Sequence, residues 1–404
     1  MAYKLTGKVQ HYAWGGYEFI PRLLHQPNPD HQPFAEYWLG AHDKAPSVVS
    51  LTDETFIPLN EFIQSNPEKY LGKETNTAFG RLPYLLKVLD VRDMLSIQVH
   101  PTKEEARIGF SRENAAGVPL DAPQRNYKDD NHKPEMMVAL SEFYLLHGFR
   151  EDPSLREILS TVPEFNSLIP YYDKRGYASL YSHVMNMPQF RINEILQPLL
   201  NRLLPAYLQG KIAKHNPDFW AARALASGMT QMDSPDRGIF SIYFFNLVRM
   251  EPGEGIFQAA GLPHAYLEGQ NMELMANSDN VLRGGLTPKH VAVEELLKHI
   301  RFEGISPAVL KPSATANGIS DYAAPVDDFN LTKMIIEKGK FIDNQSKSLE
   351  ISILLSGRLT VQSQTELTLE SGEAFICLPG EKSRWRANAR TLLYKASVPV
   401  QPGS

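Results

Sequence analysis

The sequence predicts a mainly β protein that carries an all-helical insertion near its middle. Before residue 153 and after residue 228, short apolar stretches are broken by Gly, Pro and Asn, as is typical of strands joined by turns. Between these residues the apolar spacing becomes helical. The chain has 404 residues, of which 43% are hydrophobic and 22% are charged, the balance of a soluble globular protein with a large core.

The first part of the chain is predicted to contain both strands and short helices. Residues 35–42 and 82–91 favour strands, and 60–72 favour a short helix that ends at a glycine. A further helix is expected over 102–117, because Thr102 suits the N-cap position and acidic residues follow it in the first turn.

The middle of the chain, from about 153 to 228, is predicted to be a helical subdomain. Its helical stretches are separated by Pro and Gly, and one of them repeats leucine at the i, i+3, i+4 and i+7 spacing of a buried helix face. These leucines are Leu196, Leu199, Leu200 and Leu203.

The β pattern returns after Gly228. Residues 239–269 favour strands, and 351–381 alternate apolar and polar side chains between glycine turns. Both stretches contain a strand, a turn of the form PGEG or SGEA, a second short strand and then a glycine. This weak internal repeat predicts two related units of β-sandwich or jelly-roll type.

Charge and cysteine content narrow the class of function. The net charge is −5 and no block is rich in Lys or Arg, which argues against a nucleic-acid or membrane-surface partner. Cys377 is the single cysteine, so an internal disulfide and a cysteine metal cluster are excluded. No apolar stretch reaches the roughly 18 residues of a membrane span, and no signal peptide is recognisable. We therefore expect a cytoplasmic protein.

The stretch LSIQVHPTKEEA (95–106) carries the first candidate site. Ser96, Gln98 and His100 occupy every second position of a predicted strand, so their side chains share one face. A polar face on an otherwise apolar strand either meets water or lines a site.

Two further stretches supply metal-ligand types. DDNHKPEMMVAL contains His132, Lys133 and Glu135, and AAGLPHAYLEG contains His264. Together with the strand above, they offer two imidazoles, a carboxylate and an amide oxygen, a donor set that Zn²⁺ accepts, although Gln is an unusual zinc ligand. The alternative is that each residue is an ordinary hydrogen-bonded side chain at a strand end.

Two cationic side chains also need partners. Lys87 lies in the apolar run YLLKVL, where a buried ammonium requires a carboxylate or a ligand phosphate unless it reaches solvent. Arg283 lies in MELMANSDNVLRGGLTPKH with Glu273 and Asp279, and arginine binds carboxylate or phosphate bidentately. A salt bridge from Arg283 to Asp279 across the loop is the alternative.

These stretches together resemble the signature segments of the type I mannose-6-phosphate isomerases, also called phosphomannose isomerases. The matching segments occur in the family's order and flank a helical insertion; they are LPYLLKVLDVRDMLSIQVHP, NHKPEM, AAGLPHAYLEG and SDNVLRGGLTPKH, with support from QHYAWGG (10–16) and EYWLGAHDKAPS (36–47). The resemblance extends from about residue 8 to residue 335, and more loosely to the end.

The resemblance implies a fold, an activity and a cofactor. It implies a zinc-dependent aldose–ketose isomerase that interconverts mannose 6-phosphate and fructose 6-phosphate, with one Zn²⁺ per chain. The expected domains are a cupin-type jelly-roll catalytic core, a helical insertion and a second cupin-like β domain, at residues 1–152 plus 229–328, 153–228 and 329–404. The implied metal ligands are Gln98, His100, Glu135 and His264.

The resemblance also implies roles for the remaining candidates. Arg283 matches the family's active-site arginine, and Ser96 and Lys87 would contact the substrate, Lys87 at its phosphate. The base that moves a proton through the cis-enediol stays open among Lys133, His132, Asp279 and Glu273, with His132 also a candidate for opening the sugar ring. One departure is RGGL where RAGL is common, at an expected cost in backbone order.

Other functions fit the same residues less well. An iron-dependent cupin oxygenase would use two His and one carboxylate, but three cations near one pocket favour a phosphorylated substrate. A non-catalytic sugar-phosphate sensor would be favoured by loss of a ligand or of Arg283, and none is lost. A bifunctional isomerase–nucleotidyltransferase would need a Gly-rich N-terminal signature that the sequence lacks. We expect a small phosphosugar as partner, and a monomer or weak homo-oligomer.

Overall fold

The computed structural model describes residues 1–52 and 54–399, so residues 400–404 of the predicted last domain lie outside it. Short strands and helices alternate in the first 150 residues: β1 (Ala2–Thr6), β2 (Lys8–Gln10), α1 (Phe19–Leu23), β3 (Glu36–Gly40), β4 (Val48–Ser50), β5 (Phe56–Pro58), α2 (Leu59–Ser65), α3 (Pro67–Leu71), α4 (Lys73–Phe79), β6 (Tyr84–Val91), β7 (Gln98–Val99), α5 (Lys103–Ala115), β8 (Glu135–Ala139) and β9 (Phe143–Phe149).

Most predicted elements of this region are confirmed. β3 and β6 lie in the two predicted strands, and α5 begins at a capping box in which Thr102 and Glu105 bond each other's backbone. The predicted helix over 60–72 is instead two helices, α2 and α3. It breaks because Asn66 leaves helical geometry and caps α3, whose first residue is a proline.

The predicted helical region contains α6 (Asp152–Thr161), a 3₁₀ helix (Pro163–Leu168), α7 (Ile169–Asn186), α8 (Gln189–Leu208) and α9 (Pro217–Ala226), followed by α10 (Gly238–Phe244). The four leucines at helical spacing are buried together with Trp220 in one apolar cluster, as predicted. The strand prediction for the beginning of 239–269 is wrong, because Gly238–Phe244 is helical. Every residue of α10 is buried, and a run that is apolar on all sides has no periodicity to separate helix from strand.

Strands dominate the remainder of the chain: β10 (Phe245–Met250), β11 (Gly255–Gln258), β12 (His264–Ala276), β13 (Leu282–Arg283), α11 (Val293–His299), β14 (Ile319–Tyr322), β15 (Asn330–Ile336), β16 (Phe341–Gln345), β17 (Glu350–Ser356), β18 (Arg358–Gln362), β19 (Glu366–Glu370), β20 (Ala374–Cys377), β21 (Lys382–Ala387) and β22 (Thr391–Ser397). Every pairing between these named strands is antiparallel. The protein is thus a mixed structure of antiparallel sheets and helices.

The long strand β12 organises the sheet that carries the candidate site. It pairs with β6, β7, β8 and β9, while β3, β10, β11 and β13 join through those neighbours. One face of this sheet is an apolar cluster that includes Leu89, Met137 and Ile256. Each of these strands carries a polar side chain on the same face, two positions away from the apolar one. These polar side chains are Lys87, Glu135 and Gln258. The sheet therefore places a layer of polar groups above an apolar floor.

A second sheet joins the two ends of the chain. Its strand order is β14-β15-β22-β17-β20-β1-β4-β5, so three N-terminal strands complete a sheet of C-terminal strands. Tyr84, fully buried in β6, donates its hydroxyl to the carbonyls of Leu349 (2.9 Å) and Ala396 (3.2 Å). This hydroxyl connects the site-bearing sheet to the C-terminal strands. Each helix among the described residues is too short or too polar to cross a lipid bilayer.

We expect Tyr84→Phe to lower the free energy of unfolding by about 1–3 kcal/mol, because two buried carbonyls lose a shared donor. Tyr171→Phe, at a side chain that is 39% exposed, serves as the control and should change stability little. Chemical denaturation of both variants measures the difference. Equal stability of the two variants would contradict a connecting role for the Tyr84 hydroxyl.

Candidate active site and metal centre

A cavity of about 740 Å³ opens above the polar layer of the β12 sheet. Its walls come from the N-terminal segment, from β3 and β6, from residues 227–229 that follow α9, and from the loop 284–289. Six of the predicted site residues line it: Lys87, Ser96, Gln98, Lys133, Asp279 and Arg283. Sheet and helical insertion therefore both contribute to one pocket.

Three further predicted residues meet in the polar layer. His100, Glu135 and His264 are buried, and their ligand atoms lie within 4.8 Å of one another. Glu135 opens β8 and His264 opens β12, while His100 follows β7 by one residue. The Nε2 atoms of His100 and His264 each lie 3.3 Å from an oxygen of Glu135.

Backbone contacts fix which ring nitrogen carries the proton. Nδ1 of His100 donates to the carbonyl of Asn280 (2.8 Å), and Nδ1 of His264 donates to that of Leu262 (3.0 Å). A carbonyl only accepts, so Nδ1 must be protonated, and in the neutral ring Nε2 then carries a lone pair. Burial lowers the pKa of His100 to about 4, although Glu135 opposes the shift, so this ring is neutral near pH 7.

The arrangement fits a metal better than a hydrogen-bonded cluster. Nε2 of His100 is buried without a hydrogen-bond partner among the described residues, and it faces a carboxylate that also only accepts. A cation bound between these acceptors would satisfy them all. Gln98 extends the set, because it lies opposite His264 in the β7–β12 pairing and lines the cavity.

Two lysines neutralise part of the charge around this centre. Nζ of Lys133 lies 3.1 Å from Glu135, and Nζ of Lys87 lies 3.0 Å from Glu273 and 3.4 Å from Glu36. All five side chains are at most 10% exposed. Three carboxylates and two ammonium groups leave one negative charge with the histidines neutral, which favours binding of a cation.

The pKa values of these groups follow from the pairing. Burial raises the pKa of Glu135, but the Lys133 ammonium opposes it and the net shift is downward. Burial lowers the pKa of Lys87, but Glu36 and Glu273 more than offset it and the net shift is upward. Both groups are therefore charged at neutral pH. Glu273 also accepts a hydrogen bond from the Tyr266 hydroxyl (2.8 Å).

The sequence left open whether the partner of Lys87 is a protein carboxylate or a ligand phosphate, and in the structure it is paired with protein carboxylates. Besides the two carboxylates, its ammonium lies 5.1 Å from the ring centroid of Trp38. Although Lys87 lines the cavity, its positive charge is already matched inside the protein. Its phosphate role remains a prediction that the geometry does not favour.

Two other predicted residues have partners outside the metal centre. Asp279 lies 3.3 Å from Nε2 of His42 and 2.6 Å from Nζ of Lys44. Burial raises the pKa of Asp279, but these two contacts hold it well below the usual range. His132 bonds Asp328 of the C-terminal region at 3.0 Å and is not among the residues that line the cavity.

Arg283 and Lys289 differ from the other cations of the cavity. Within residues 1–52 and 54–399, neither side chain forms a hydrogen bond or ion pair, so the predicted alternative of an Arg283–Asp279 salt bridge is not observed. Burial lowers the pKa of Arg283, and burial together with Arg283 lowers that of Lys289. Arg283 is half-buried and Lys289 is exposed, so both are accessible to an anion that enters the cavity.

The departure from RAGL at Gly284 has a packing reason. A Cβ at Gly284 would lie 2.8 Å from Cγ2 of Ile97, closer than side-chain carbons pack. Gly284 donates its N–H to the Ile97 carbonyl (2.9 Å). The missing methyl group therefore lets the backbone beside Arg283 approach the strand that carries Gln98.

Sequence reasoning missed several residues of the site. Glu36, Trp38, His42 and Lys44 all bond or pack against predicted site residues, and Lys289 lines the cavity. The sequence EYWLGAH contained a usable signal. Positions 36, 38 and 42 are separated by even numbers of residues, so in a strand their side chains point to the same face. Lys289 lies in a matching segment but was not singled out.

Comparison with known proteins identifies the family. A family model described as phosphomannose isomerase type I, catalytic domain, matches residues 2–152. The mannose-6-phosphate isomerase of Escherichia coli is 37% identical over 380 residues, which are 92% of this chain and 94% of that protein. The chain belongs to the type I phosphomannose isomerase family. The human mannose-6-phosphate isomerase is 33% identical and covers 91% of this chain and 89% of its own.

Solved structures of phosphomannose isomerases agree with this assignment. A mannose 6-phosphate isomerase bound with zinc and yttrium has a TM-score of 0.83 and 34% identity, and the match covers 99% of this chain and 100% of that one. The Salmonella typhimurium enzyme bound to substrate and to zinc has the same TM-score, identity and coverage.

We expect Lys87→Met to lower the free energy of unfolding by about 3–5 kcal/mol, because it leaves Glu36 and Glu273 buried without their cation. Lys73→Met, at an exposed lysine at the start of α4, is the control and should be nearly neutral. Thermal and chemical unfolding of the two variants measure the effect. A Lys87→Met protein with unchanged stability and a raised KM would show that Lys87 serves the substrate instead.

Proposed function

We propose that this protein is a zinc-dependent mannose-6-phosphate isomerase that interconverts D-mannose 6-phosphate and D-fructose 6-phosphate. The observation that carries the proposal is the buried His100–Glu135–His264 cluster. It lies next to a cavity that contains two cations, Arg283 and Lys289, without a partner in the part of the chain that the structure describes. Membership of the type I phosphomannose isomerase family supports the same reaction.

We infer that Gln98, His100, Glu135 and His264 hold one zinc ion per chain. The His and Glu donors and their bonded Nδ1 atoms support this set, and Gln98 is the cavity-lining neighbour that completes it. When bound, the zinc ion supplies positive charge that polarises the substrate carbonyl and stabilises the enediolate.

The cavity is suited to a hexose phosphate. Its volume of about 740 Å³ lies within the usual range for small-molecule sites. We place the phosphate at Lys289, which lacks a carboxylate partner among the described residues, and Ser96 also lines the cavity. Arg283 lies opposite Gln98 in the β7–β13 pairing, next to the proposed metal ligands. Arg283 is the side chain that we propose for stabilising enediolate charge.

The isomerisation moves one proton between neighbouring carbons. In the forward direction a base removes the proton from C2 of mannose 6-phosphate and returns it to C1, while a proton passes from O2 to O1 through the cis-enediol. Of the four candidate bases, Lys133 and Asp279 line the cavity. Both are ion-paired, Lys133 with Glu135 and Asp279 with His42 and Lys44, so the pairing does not separate them. We therefore narrow the base to these two residues, and keep no ring-opening role for His132, which bonds Asp328.

We also propose the finer description of the fold and setting. The β12 sheet belongs to a cupin-type jelly roll formed by residues 1–152 and 229–328, and the C-terminal strands belong to a second one formed by residues 329–404. Residues 153–228 are the helical insertion. The inclusion of β1, β4 and β5 in the second sheet means that the N-terminal strands tie the two β units together. The buried free thiol of Cys377 agrees with a cytoplasmic location.

We expect chelation to abolish the isomerase activity and zinc to restore it, because the proposed ligands hold one catalytic ion. A coupled assay of mannose 6-phosphate conversion before and after EDTA, with zinc added back, measures this. Glu135→Gln should lose both zinc and activity, whereas Glu142→Gln, at a surface carboxylate paired with Arg249, should keep both. Activity that survives prolonged chelation would contradict the catalytic metal, and a zinc-loaded but inactive protein would contradict the reaction.

Arg283→Ala should lower kcat/KM by about 10³-fold, because it removes charge stabilisation that acts on the transition state. Lys289→Met should mainly raise the KM for mannose 6-phosphate, because it removes a phosphate contact. Lys298→Met, at an exposed lysine on α11, is the matched control. Steady-state kinetics separate the effects, and an unchanged KM in Lys289→Met would move the phosphate elsewhere.

A further inference from the structure

The loop 284–290 carries Lys289 and directly follows Arg283, yet it contains no helix or strand of its own. One side of it is fixed to the sheet: the Ile97 N–H donates to the Gly285 carbonyl (3.1 Å), and the Gly284 N–H donates to the Ile97 carbonyl (2.9 Å). Leu286, Thr287, Pro288 and Lys289 line the cavity. The shape of this loop therefore sets where the two unpaired cations stand.

The other side of the loop is fixed by a carboxylate of the helical region. Oδ1 of Asp236, in the turn before α10, accepts the N–H of Leu286 (2.8 Å) and the N–H of Gly238 (2.6 Å). The backbone N–H of Asp236 donates to Oγ1 of Thr230 (2.7 Å), which fixes the turn itself. One oxygen thus accepts one N–H from the loop and one from the start of α10, and both are strong contacts because the acceptor is charged.

Backbone geometry makes this contact necessary. Leu286 has φ of 53°, a left-handed conformation that costs free energy for a residue with a branched apolar side chain. The loop and the turn also touch backbone to backbone. A Cβ on Gly285 would lie 2.6 Å from Cα of Gly238, and a Cβ on Gly238 would lie 2.6 Å from the Leu286 nitrogen. The Asp236 bond offsets the strain at Leu286 and holds this close approach.

We infer that Asp236 is a positioning residue for phosphate recognition: it fixes the loop 284–290 and thereby places Lys289 and Arg283. The inference rests on the proposed isomerase function of the same cavity. Asp236 does not line the cavity, so its effect reaches the substrate only through the loop backbone. The helical region then serves the reaction by holding one wall of the site in shape.

Two substitutions of Asp236 distinguish its role as a hydrogen-bond acceptor from the role of its negative charge. Asp236→Ala removes both bonds and should raise the KM for mannose 6-phosphate about 10- to 100-fold, the usual effect of a small displacement of binding groups, with a smaller change in kcat. Asp236→Asn keeps an amide oxygen that accepts both N–H groups, so its KM should stay close to that of the wild type. Zinc content should be the same in all variants. Asp233→Ala, at an exposed carboxylate in the same connection, is the control.

Gly238→Ala tests the same contact from the opposite side, and also serves if Asp236→Ala does not fold. Its methyl group would lie 2.6 Å from the Leu286 nitrogen and 2.8 Å from Oδ1 of Asp236. It would therefore push the two apart while the carboxylate stays in the chain, and it should raise KM in the same way. A wild-type KM in both Asp236→Ala and Gly238→Ala, or an equal defect in Asp236→Asn and Asp236→Ala, would overturn the inference.

Binding of inorganic phosphate distinguishes this failure from failure of the proposed function. Calorimetric titration should show weaker phosphate binding in Asp236→Ala than in wild type and in Asp236→Asn. If the zinc-loaded wild type lacks isomerase activity but this order holds, the proposed reaction is wrong and the positioning role stands. If all three proteins bind phosphate equally, the positioning role is wrong whatever the activity.

Discussion

The site depends on one carboxylate held between two imidazoles inside the protein. Glu135 lies 3.3 Å from Nε2 of both His100 and His264, and both Nδ1 protons are committed to backbone carbonyls. The two Nε2 lone pairs and the Glu135 oxygens are all hydrogen-bond acceptors and face one another. In a buried site this is unfavourable unless a cation lies between them. The lysines near Glu135 and Glu273 compensate only part of the negative charge of this polar layer. A bound metal cation would compensate the rest.

The architecture follows from bringing these groups together. His264 and Glu135 each open a strand, and β12 pairs with the strands that carry the other donors and the buried Lys87. The apolar floor beneath them excludes water and strengthens each electrostatic contact. The helical insertion packs on the same sheet, and Asp236, in the connection between α9 and α10, fixes the loop that bears Lys289. The proposed metal ligands therefore lie on or beside strands, which hold them rigidly, and the proposed phosphate contact lies on a loop that Asp236 fixes.

Much of this was predictable from sequence, for identifiable reasons. The alternation of Ser96, Gln98 and His100 and the match of separated motifs placed the donors correctly near one another, although β7 is only two residues long. The failures are physical. The strand prediction fails at α10 because a wholly buried run carries no periodicity. The partners of His132 and Asp279 are Asp328 and the His42–Lys44 pair, and contacts between residues so distant in sequence are set by tertiary packing that no local pattern encodes. Lys289 was missed because an unpaired cation is recognisable only once its surroundings are known.

The most direct test of the metal centre is the X-ray absorption spectrum of the zinc-loaded protein at the zinc K-edge, taken with metal analysis of the same sample. We expect one zinc per chain, with two imidazole nitrogens and only oxygen as the other ligands, and loss of the zinc in Glu135→Gln. A spectrum with one imidazole or none, or a Glu135→Gln protein that keeps its full zinc content, would contradict the central claim that the His100–Glu135–His264 cluster is the metal centre.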